Sequence, residues 1–170
     1  MTRYAMFLRG INVGGVKVPM ADLKVLLGGL GLDGVRTWLQ TGNVCFDSDR
    51  PATKVQPEIE VALTDRFGYQ AHVILLNHNR LAALVDGYPF VRDQDHHAYA
   101  MLCADDASTL AIASLPTDDK VEQVSAGGGV VYWRCPKGAT LDTVFSKASG
   151  KPRYRATTTT RNLNTLEKLL

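Results

Sequence analysis

The sequence predicts an α+β protein made of two successive ferredoxin-like halves. Residues 3–76 alternate short apolar runs with amphipathic segments in the order β-α-β-β-α-β, which is the split βαβ arrangement. The order β-α-β-β-α then begins again near residue 98 and is followed by a C-terminal helix. Hydrophobic residues make up 45% of the 170 residues, a content typical of globular proteins and too high for disorder.

Apolar spacing and glycine breaks define the elements of the first half. Glycines after residue 9 end a buried strand, and Pro19 suits the first turn of the helix that follows. Thr53 and Gln56 resemble a capping box at the start of a second helix, which Gly68 ends. The predicted elements are strands at 3–9, 35–39, 44–47 and 70–76, helices at 19–30, 53–67 and 77–86, and a hairpin turn at 41–43.

The second half has a similar alternation. Asp106 is the predicted cap of its first helix, and Thr140 is the predicted cap of its second. The predicted elements are strands at 98–104, 121–125 and 130–134 and helices at 106–114, 140–148 and 161–170. The predicted division is an N-terminal half, residues 1–87, and a C-terminal half, residues 88–170. Whether they are separate domains or one structural unit is left open by the pattern.

Several short runs resemble a known family. These are LRGINVGG at residues 8–15, VPM at 18–20, TGNV at 41–44, and TRN at 160–162 within the C-terminal stretch. Together they resemble the bacterial domain-of-unknown-function family 1697. The resemblance implies a two-part fold with ferredoxin-like halves and a cytosolic bacterial origin, and it implies no reaction.

Cysteine content and hydropathy restrict the class of protein. Three cysteines without a CxxC pair argue against a disulfide framework and a zinc knuckle, and they fit a reducing compartment. Apolar runs such as residues 73–76 are too short to span a membrane. We therefore expect a cytoplasmic protein with no membrane partner, no metal and no cofactor. Residues 93–97 (DQDHH) contain metal-ligand types, but a polar linker is the favoured interpretation.

Charge is distributed unevenly along the chain, although the net charge is only +2. From Arg134 to the end there are eight Lys/Arg and two acids, whereas the first 133 residues carry 11 bases and 15 acids. Residues 147–161 hold five bases and no acid. A local excess of this kind favours an anionic partner, although a solvated surface is the common alternative.

The glycine-rich run between the first strand and the first helix is one candidate anion site. Glycines allow backbone N–H groups to turn toward one point, and an arginine can clamp a phosphate or carboxylate. The run lacks a Walker A sequence and the dinucleotide fingerprint, and a plain turn is the alternative. The residues assigned to this site are Arg9, Gly10, Asn12, Gly14, Gly15, Lys17 and Asn43.

The basic C-terminal segment is the second candidate. Arg161 is predicted at the start of the last helix, where its charge opposes the helix dipole, and such a broken rule can mark a functional site. The alternative is a loop of solvated bases followed by a helix cap. The residues assigned to this site are Arg153, Arg155, Thr160, Arg161 and Asn162, with Lys147 and Lys151 nearby.

These features favour binding of an anionic ligand. The candidates are a phosphate, a nucleotide and a nucleic-acid backbone. Tyr132 and Trp133 alternate faces of one strand, so sequence-specific RNA readout of the type with paired stacking aromatics is not expected. One alternative is an acylphosphatase-like hydrolase with Arg9 holding phosphate and Asn43 orienting water, by analogy of fold alone. Another is a protein–protein assembly module. Ligand identity, catalytic activity and oligomeric state are left open by the sequence.

Overall fold

The computed structural model describes residues 1–9, 15–38 and 42–170. It confirms the predicted fold class, with two four-stranded antiparallel sheets and helices arranged as two ferredoxin-like halves. The first half contains β1 (Thr2–Leu8), α1 (Met20–Gly29), β2 (Asp33–Trp38), β3 (Asn43–Ser48), α2 (Ala52–Phe67) and β4 (Val73–Asn77). Then follow α3 (His78–Asp86), β5 (His96–Cys103), α4 (Asp106–Ala113), β6 (Gln123–Gly127), β7 (Val130–Pro136), α5 (Val144–Ser149), a 3₁₀ turn (Pro152–Tyr154), β8 (Thr158–Asn162) and α6 (Leu163–Glu167).

The strands of each half lie in the same spatial order: second, third, first and fourth strand of that half. The first sheet runs β2-β3-β1-β4 and the second runs β6-β7-β5-β8. In each, the first strand of the half lies in the centre, because helical crossovers place the second and fourth strands on opposite sides of it. The central strands are therefore paired with neighbouring strands on both sides.

Each half has its own hydrophobic core. In the first, Met6 and Phe46 of the sheet pack with Leu23 of α1 and Ile59 of α2, all four fully buried. These helix residues are the ones that the periodicity predicted would face inward. In the second, the core includes Met101, Ile112, Val131, Trp133 and Phe145.

Contacts between Cα atoms divide the described chain into two compact units. One comprises Met1–Leu81 with Leu169, and the other comprises Ala82–Lys168 with Leu170. The division falls within α3, so this helix begins in the first unit and ends in the second. The domain boundary placed after residue 87 stays a prediction.

The C-terminal segment corrects the sequence-based prediction. A helix was expected from residue 161 onward, but residues Thr158–Asn162 form β8 and α6 occupies only Leu163–Glu167. The four consecutive threonines that end at Thr160 are β-branched and suit a strand. They pair with β5, where Met101 lies opposite Thr160. Backbone hydrogen bonds to a strand about 60 residues earlier in the chain outweigh the local helical spacing.

The predicted helix caps are also corrected. No side chain caps α2, which follows Pro51, and Gln56 instead donates to the carbonyl of Val73 at 3.1 Å. The cap of α4 is Asp105, whose Oδ1 accepts from the backbone N–H of Ser108 at 2.7 Å. The cap of α5 is Thr143 rather than Thr140. Neighbouring residues of the same type compete for the cap position, and only the backbone path selects one of them.

Candidate functional site

The first candidate site begins where β1 ends. The backbone N–H of Arg9 donates to the carbonyl of His72 at 3.1 Å, which continues the β1–β4 pairing by one residue. Gly15 has φ of +89°, a left-handed conformation that glycine adopts without strain. Lys17 is exposed beyond it. Gly10, Asn12 and Gly14 lie outside the described residues, so the proposed anion loop stays a prediction.

Asn43 lies at the same end of the first sheet as Arg9. It pairs with Phe7 across β1 and β3, and the N–H of Leu8 donates to the carbonyl of Gly42 at 2.9 Å. The asparagine is completely buried, and its side-chain amide donates to the carbonyl of Trp38 at 3.3 Å. This amide therefore helps to close the hairpin between β2 and β3, and the assignment of Asn43 to a ligand site stays a prediction.

The second candidate site is built on residues 147–155, which we call the basic segment. Its cations are Lys147, Lys151, Arg153 and Arg155, and all four are exposed. Among the ion pairs formed by described residues, none joins a carboxylate to any of these four side chains within 4.0 Å. The basic segment thus carries four solvent-facing positive charges that no carboxylate of the described residues neutralises by direct pairing.

Local structure holds the backbone of the basic segment in place. Thr143 caps α5, and the N–H of Gly150 donates to the carbonyl of Ser146 at the end of that helix. The 3₁₀ turn at Pro152–Tyr154 follows, and Tyr154 packs half-buried against the core of the second half. The hydroxyl of Thr158 donates to the carbonyl of Tyr154 at 2.9 Å. These contacts anchor the main chain while the cationic side chains stay in solvent.

One face of the Tyr154 ring is covered by the guanidinium group of Arg153. The guanidinium carbon of Arg153 lies 4.8 Å from the centroid of the Tyr154 ring, which is a cation–π arrangement. Because the ring also packs against the core, it is a poor platform for stacking a base. The arrangement nonetheless orders Arg153, which lowers the entropy lost when its charge contacts a ligand.

The remaining residues of the second candidate lie in β8 rather than at a helix start. Thr160 is exposed, whereas the Arg161 guanidinium turns back and donates to the hydroxyl of Thr159 at 2.6 Å and to the carbonyl of Thr160 at 2.9 Å. The side chain of Asn162 accepts from the N–H of Asn164 at 2.9 Å and caps α6. The expected clash between Arg161 and a helix dipole is therefore wrong.

One polar cluster was not anticipated from the sequence. Oδ1 of Asp93 accepts from the backbone N–H groups of Asp95 and His96, both at 2.9 Å, and lies 2.9 Å from His96 Nδ1. Arg134 Nη2 donates to the other oxygen at 2.5 Å. The hydrogen bond with His96, aided by that from Arg134, holds the pKa of Asp93 well below its usual range.

The Asp93 cluster orders residues 93–97, for which the sequence favours a polar linker. An Asp three residues before a His, bonded to the intervening backbone, is a local turn signal that the sequence does contain. The part played by Arg134 depends on the register of β5 and β7 and has no local signal. Across residues 1–9, 15–38 and 42–170, no group of three or more His, Cys, Asp or Glu side chains is arranged to hold a metal ion.

Comparisons with known proteins place the chain in a family. The family described as a protein of unknown function (DUF1697) matches residues 1–132. The chain belongs to this family. The conserved bacterial protein SP0830 from Streptococcus pneumoniae has a similar solved structure, with a TM-score of 0.83 and 28% sequence identity over 99% of this chain and 96% of that chain. A comparison with curated proteins gives no match.

Neither match supplies a reaction or a ligand. Both are described only as conserved or of unknown function. The family match ends before the basic segment, whereas the match to the solved structure extends over 99% of this chain. Within the described part of the chain, no helix combines the length and apolar character that crossing a membrane requires.

Proposed function

We propose that this protein binds the phosphate backbone of a nucleic acid through the basic segment. The observation that carries the proposal is the set of four exposed cations at residues 147–155 with no carboxylate in ion-pair contact among the described residues. Like charges held close together repel one another, and a polyanion relieves that repulsion by replacing condensed counterions. Phosphates repeat at regular intervals along a nucleic acid and suit such a run of cations.

The proposal is for binding that does not depend on base sequence. Tyr132 and Trp133 are both buried, with 5% and 3% of their surface exposed, and Tyr154 packs against the core. Base recognition in single strands requires exposed aromatic platforms, which these rings do not provide. Contacts to phosphates position a protein without reading sequence.

In the first unit the proposal extends to the cations that flank the glycine-rich loop. Lys17 is exposed, and Arg9 is placed by its backbone hydrogen bond at the end of β1. Support for the loop itself comes from its glycine content, as argued from the sequence. The hydrolase alternative requires Asn43 to orient a water molecule. It is not favoured, because the Asn43 side chain is buried and its amide donates to the carbonyl of Trp38.

The proposal is tested by fluorescence anisotropy with a labelled 20-base-pair DNA duplex and a labelled single-stranded RNA of equal length. The logarithm of the binding constant for the duplex falls with the logarithm of salt concentration, and four cations of the basic segment in contact with phosphates contribute about −3.6 to the slope. Replacing Lys151, Arg153 and Arg155 by Gln removes three of these contacts and reduces the magnitude of the slope by about 2.7.

A matched control separates a local site from a general effect of net charge. Lys24, Lys54 and Lys120 are exposed lysines outside the basic segment, and their triple Gln variant has the same net charge as the test variant. We expect the control to retain a slope close to that of the wild type. Absence of binding at 50 mM salt, or an equal loss in the two triple variants, contradicts the proposal.

A further inference from the structure

A cavity of about 480 Å³ opens at one end of the second sheet, apart from the basic segment. Three strand termini lie there: β5 begins at His96, β7 ends opposite it at Pro136, and β8 ends at Asn162, which pairs with Tyr99. The segment between α3 and β5 forms the facing wall. A volume of this size lies within the range of about 300–1,000 Å³ found for pockets that bind small molecules.

The facing wall is held in one conformation by polar contacts within the second unit. Arg134 Nε donates to the carbonyl of Val91 at 3.0 Å, and its Nη2 binds Asp93. Arg92 donates to the side chains of Glu167 and Asn164 in α6. The wall is thereby tied to β7 on one side and to α6 on the other. A ligand that enters such a preformed cavity loses little free energy to ordering the protein.

One cation of the cavity lining is available to an anion. Of the acids at or next to the lining, Asp93 and Glu167 are each bound to an arginine, and the exposed carboxylate of Asp95 forms no ion pair with Lys137 within 4.0 Å. Lys137 lines the cavity and is exposed, and among the described residues it has no carboxylate within 4.0 Å. Its position is set by its own backbone, whose N–H donates to the carbonyl of Asp95 at 2.9 Å. The ammonium group is therefore available to an incoming anion.

The rest of the lining suits an apolar or planar body. Tyr88 contributes an aromatic wall, and edge-to-face contacts with Phe90 and Tyr132, at centroid distances of 5.6 and 5.8 Å, fix the orientation of its ring. Val91 and Ala98 add aliphatic surface. The hydroxyl oxygen of Tyr88 is buried and has no hydrogen-bond partner among the described residues. A buried polar group without a partner is uncommon in folded proteins, and an ordered water or a ligand atom would satisfy this hydroxyl.

From these observations we infer that this cavity binds a small organic anion, with a carboxylate or phosphate on Lys137 and a planar body against Tyr88. The anion and the planar body are recognised together, so neither part alone binds well. The site differs from the basic segment in position and in the size of its ligand, so the inference does not depend on nucleic-acid binding.

The inference is tested by calorimetric titration of the full chain with four probes. Adenosine 5′-monophosphate and indole-3-acetate each combine an anion with a planar body, one as phosphate and the other as carboxylate. Adenosine and inorganic phosphate supply the two parts separately. We expect at least one combined probe to bind with a Kd below about 1 mM, and each separate part to bind at least about tenfold more weakly. The combined probe that binds more tightly identifies the anion.

Two variants locate the binding. Lys137→Met is expected to weaken the combined probe about tenfold, as loss of one charge-assisted contact does. Gln94→Trp places an indole at an exposed lining position and is expected to abolish binding without changing the melting temperature. Lys120→Met removes an exposed lysine elsewhere in the same unit and is expected to bind as the wild type does.

Four results overturn the inference, and the first three concern the cavity variants and the probes. These are no combined probe binding below about 10 mM, equal effects of Lys137→Met and Lys120→Met, and unchanged binding in Gln94→Trp. The triple Gln variant of the basic segment is expected to bind the small probes normally. If instead that variant loses them, the anion binds at the basic segment, which supports the proposed function and excludes the cavity.

Discussion

Glu122 offers a sharp test of how the second half is held together, because its side chain is 99% buried and accepts three hydrogen bonds. Its Oε2 accepts from the indole N–H of Trp133 at 2.9 Å. Its Oε1 accepts from the backbone N–H groups of Phe145 at 2.9 Å and Asp118 at 3.3 Å. One carboxyl group thus joins the segment before β6, the strand β7 and the first turn of α5.

The substitution Glu122→Gln keeps the size of the side chain and replaces one acceptor oxygen by an NH₂ donor. Whichever way the amide turns, at least one buried donor, on Trp133 or on the backbone, then faces another donor. A buried donor left without an acceptor costs about 1–3 kcal/mol, so we expect the free energy of unfolding to fall by about 2 kcal/mol. Glu122→Ala removes both acceptor oxygens, leaves the three donors without their partner and creates a void, so a loss of about 4 kcal/mol is expected.

Urea unfolding followed by far-UV circular dichroism measures these losses. Glu58→Gln is the matched control, since Glu58 is exposed and pairs with Arg50 at 2.5 Å on the surface of the first unit. An exposed pair of this kind contributes at most about 1 kcal/mol. Amide hydrogen exchange adds a regional readout, because Glu122→Gln should accelerate exchange in β5 and β7 and leave β1 and β3 unchanged.

A double-mutant cycle identifies the contact itself. In a Trp133→Phe background the indole donor is absent, so Glu122→Gln should cost about 1 kcal/mol less than in the wild type. The reasoning is refuted if Glu122→Gln destabilises no more than Glu58→Gln, or if its cost is the same in both backgrounds. Equal acceleration of exchange in both sheets contradicts the assignment to the second half.

Three further predictions concern close packing and titration. Gly87→Ala places a Cβ 2.8 Å from the hydroxyl of Tyr132, so it should destabilise by about 1–3 kcal/mol in urea unfolding, and less in a Tyr132→Phe background; equal costs contradict this. The lowered pKa of Asp93 means that its stabilising contribution is present above its unfolded pKa of about 3.9 and is lost as pH falls through the lower folded pKa. The stability difference between wild type and Asp93→Asn should therefore shrink as pH falls below about 4, and a constant difference refutes the assigned hydrogen bonds. Burial raises the pKa values of Tyr69 and Tyr88 to about 12, so ultraviolet titration at alkaline pH should show a delayed phase that the Phe variants remove, and a single phase near pH 10 would oppose it.

The basic segment and the cavity differ in how far sequence could reveal them. The run of bases at residues 147–161 is visible without a structure, because like charges that are close in sequence stay close in space. The structure then separates Arg161, which turns back onto Thr159, from Arg153 and Arg155, which stay exposed. The cavity combines Tyr88, Lys137 and Asn162, which come from three distant parts of the chain and share no local pattern.

By itself the sequence determined the two ferredoxin-like halves, because apolar periodicity and glycine breaks act within a few residues and specify helices and strands locally. The family was indicated separately, by the resemblance of short motifs such as residues 8–15. Only the tertiary structure decided that residues 158–162 form a strand, since the partner that accepts them is the open edge of β5. It also decided that Glu122 meets Trp133 and that Asp93 meets Arg134, because no local pattern brings these pairs together. Hydrogen bonds and ion pairs require groups to meet within about 3 Å, and that proximity is created by packing rather than by neighbouring residues in the sequence.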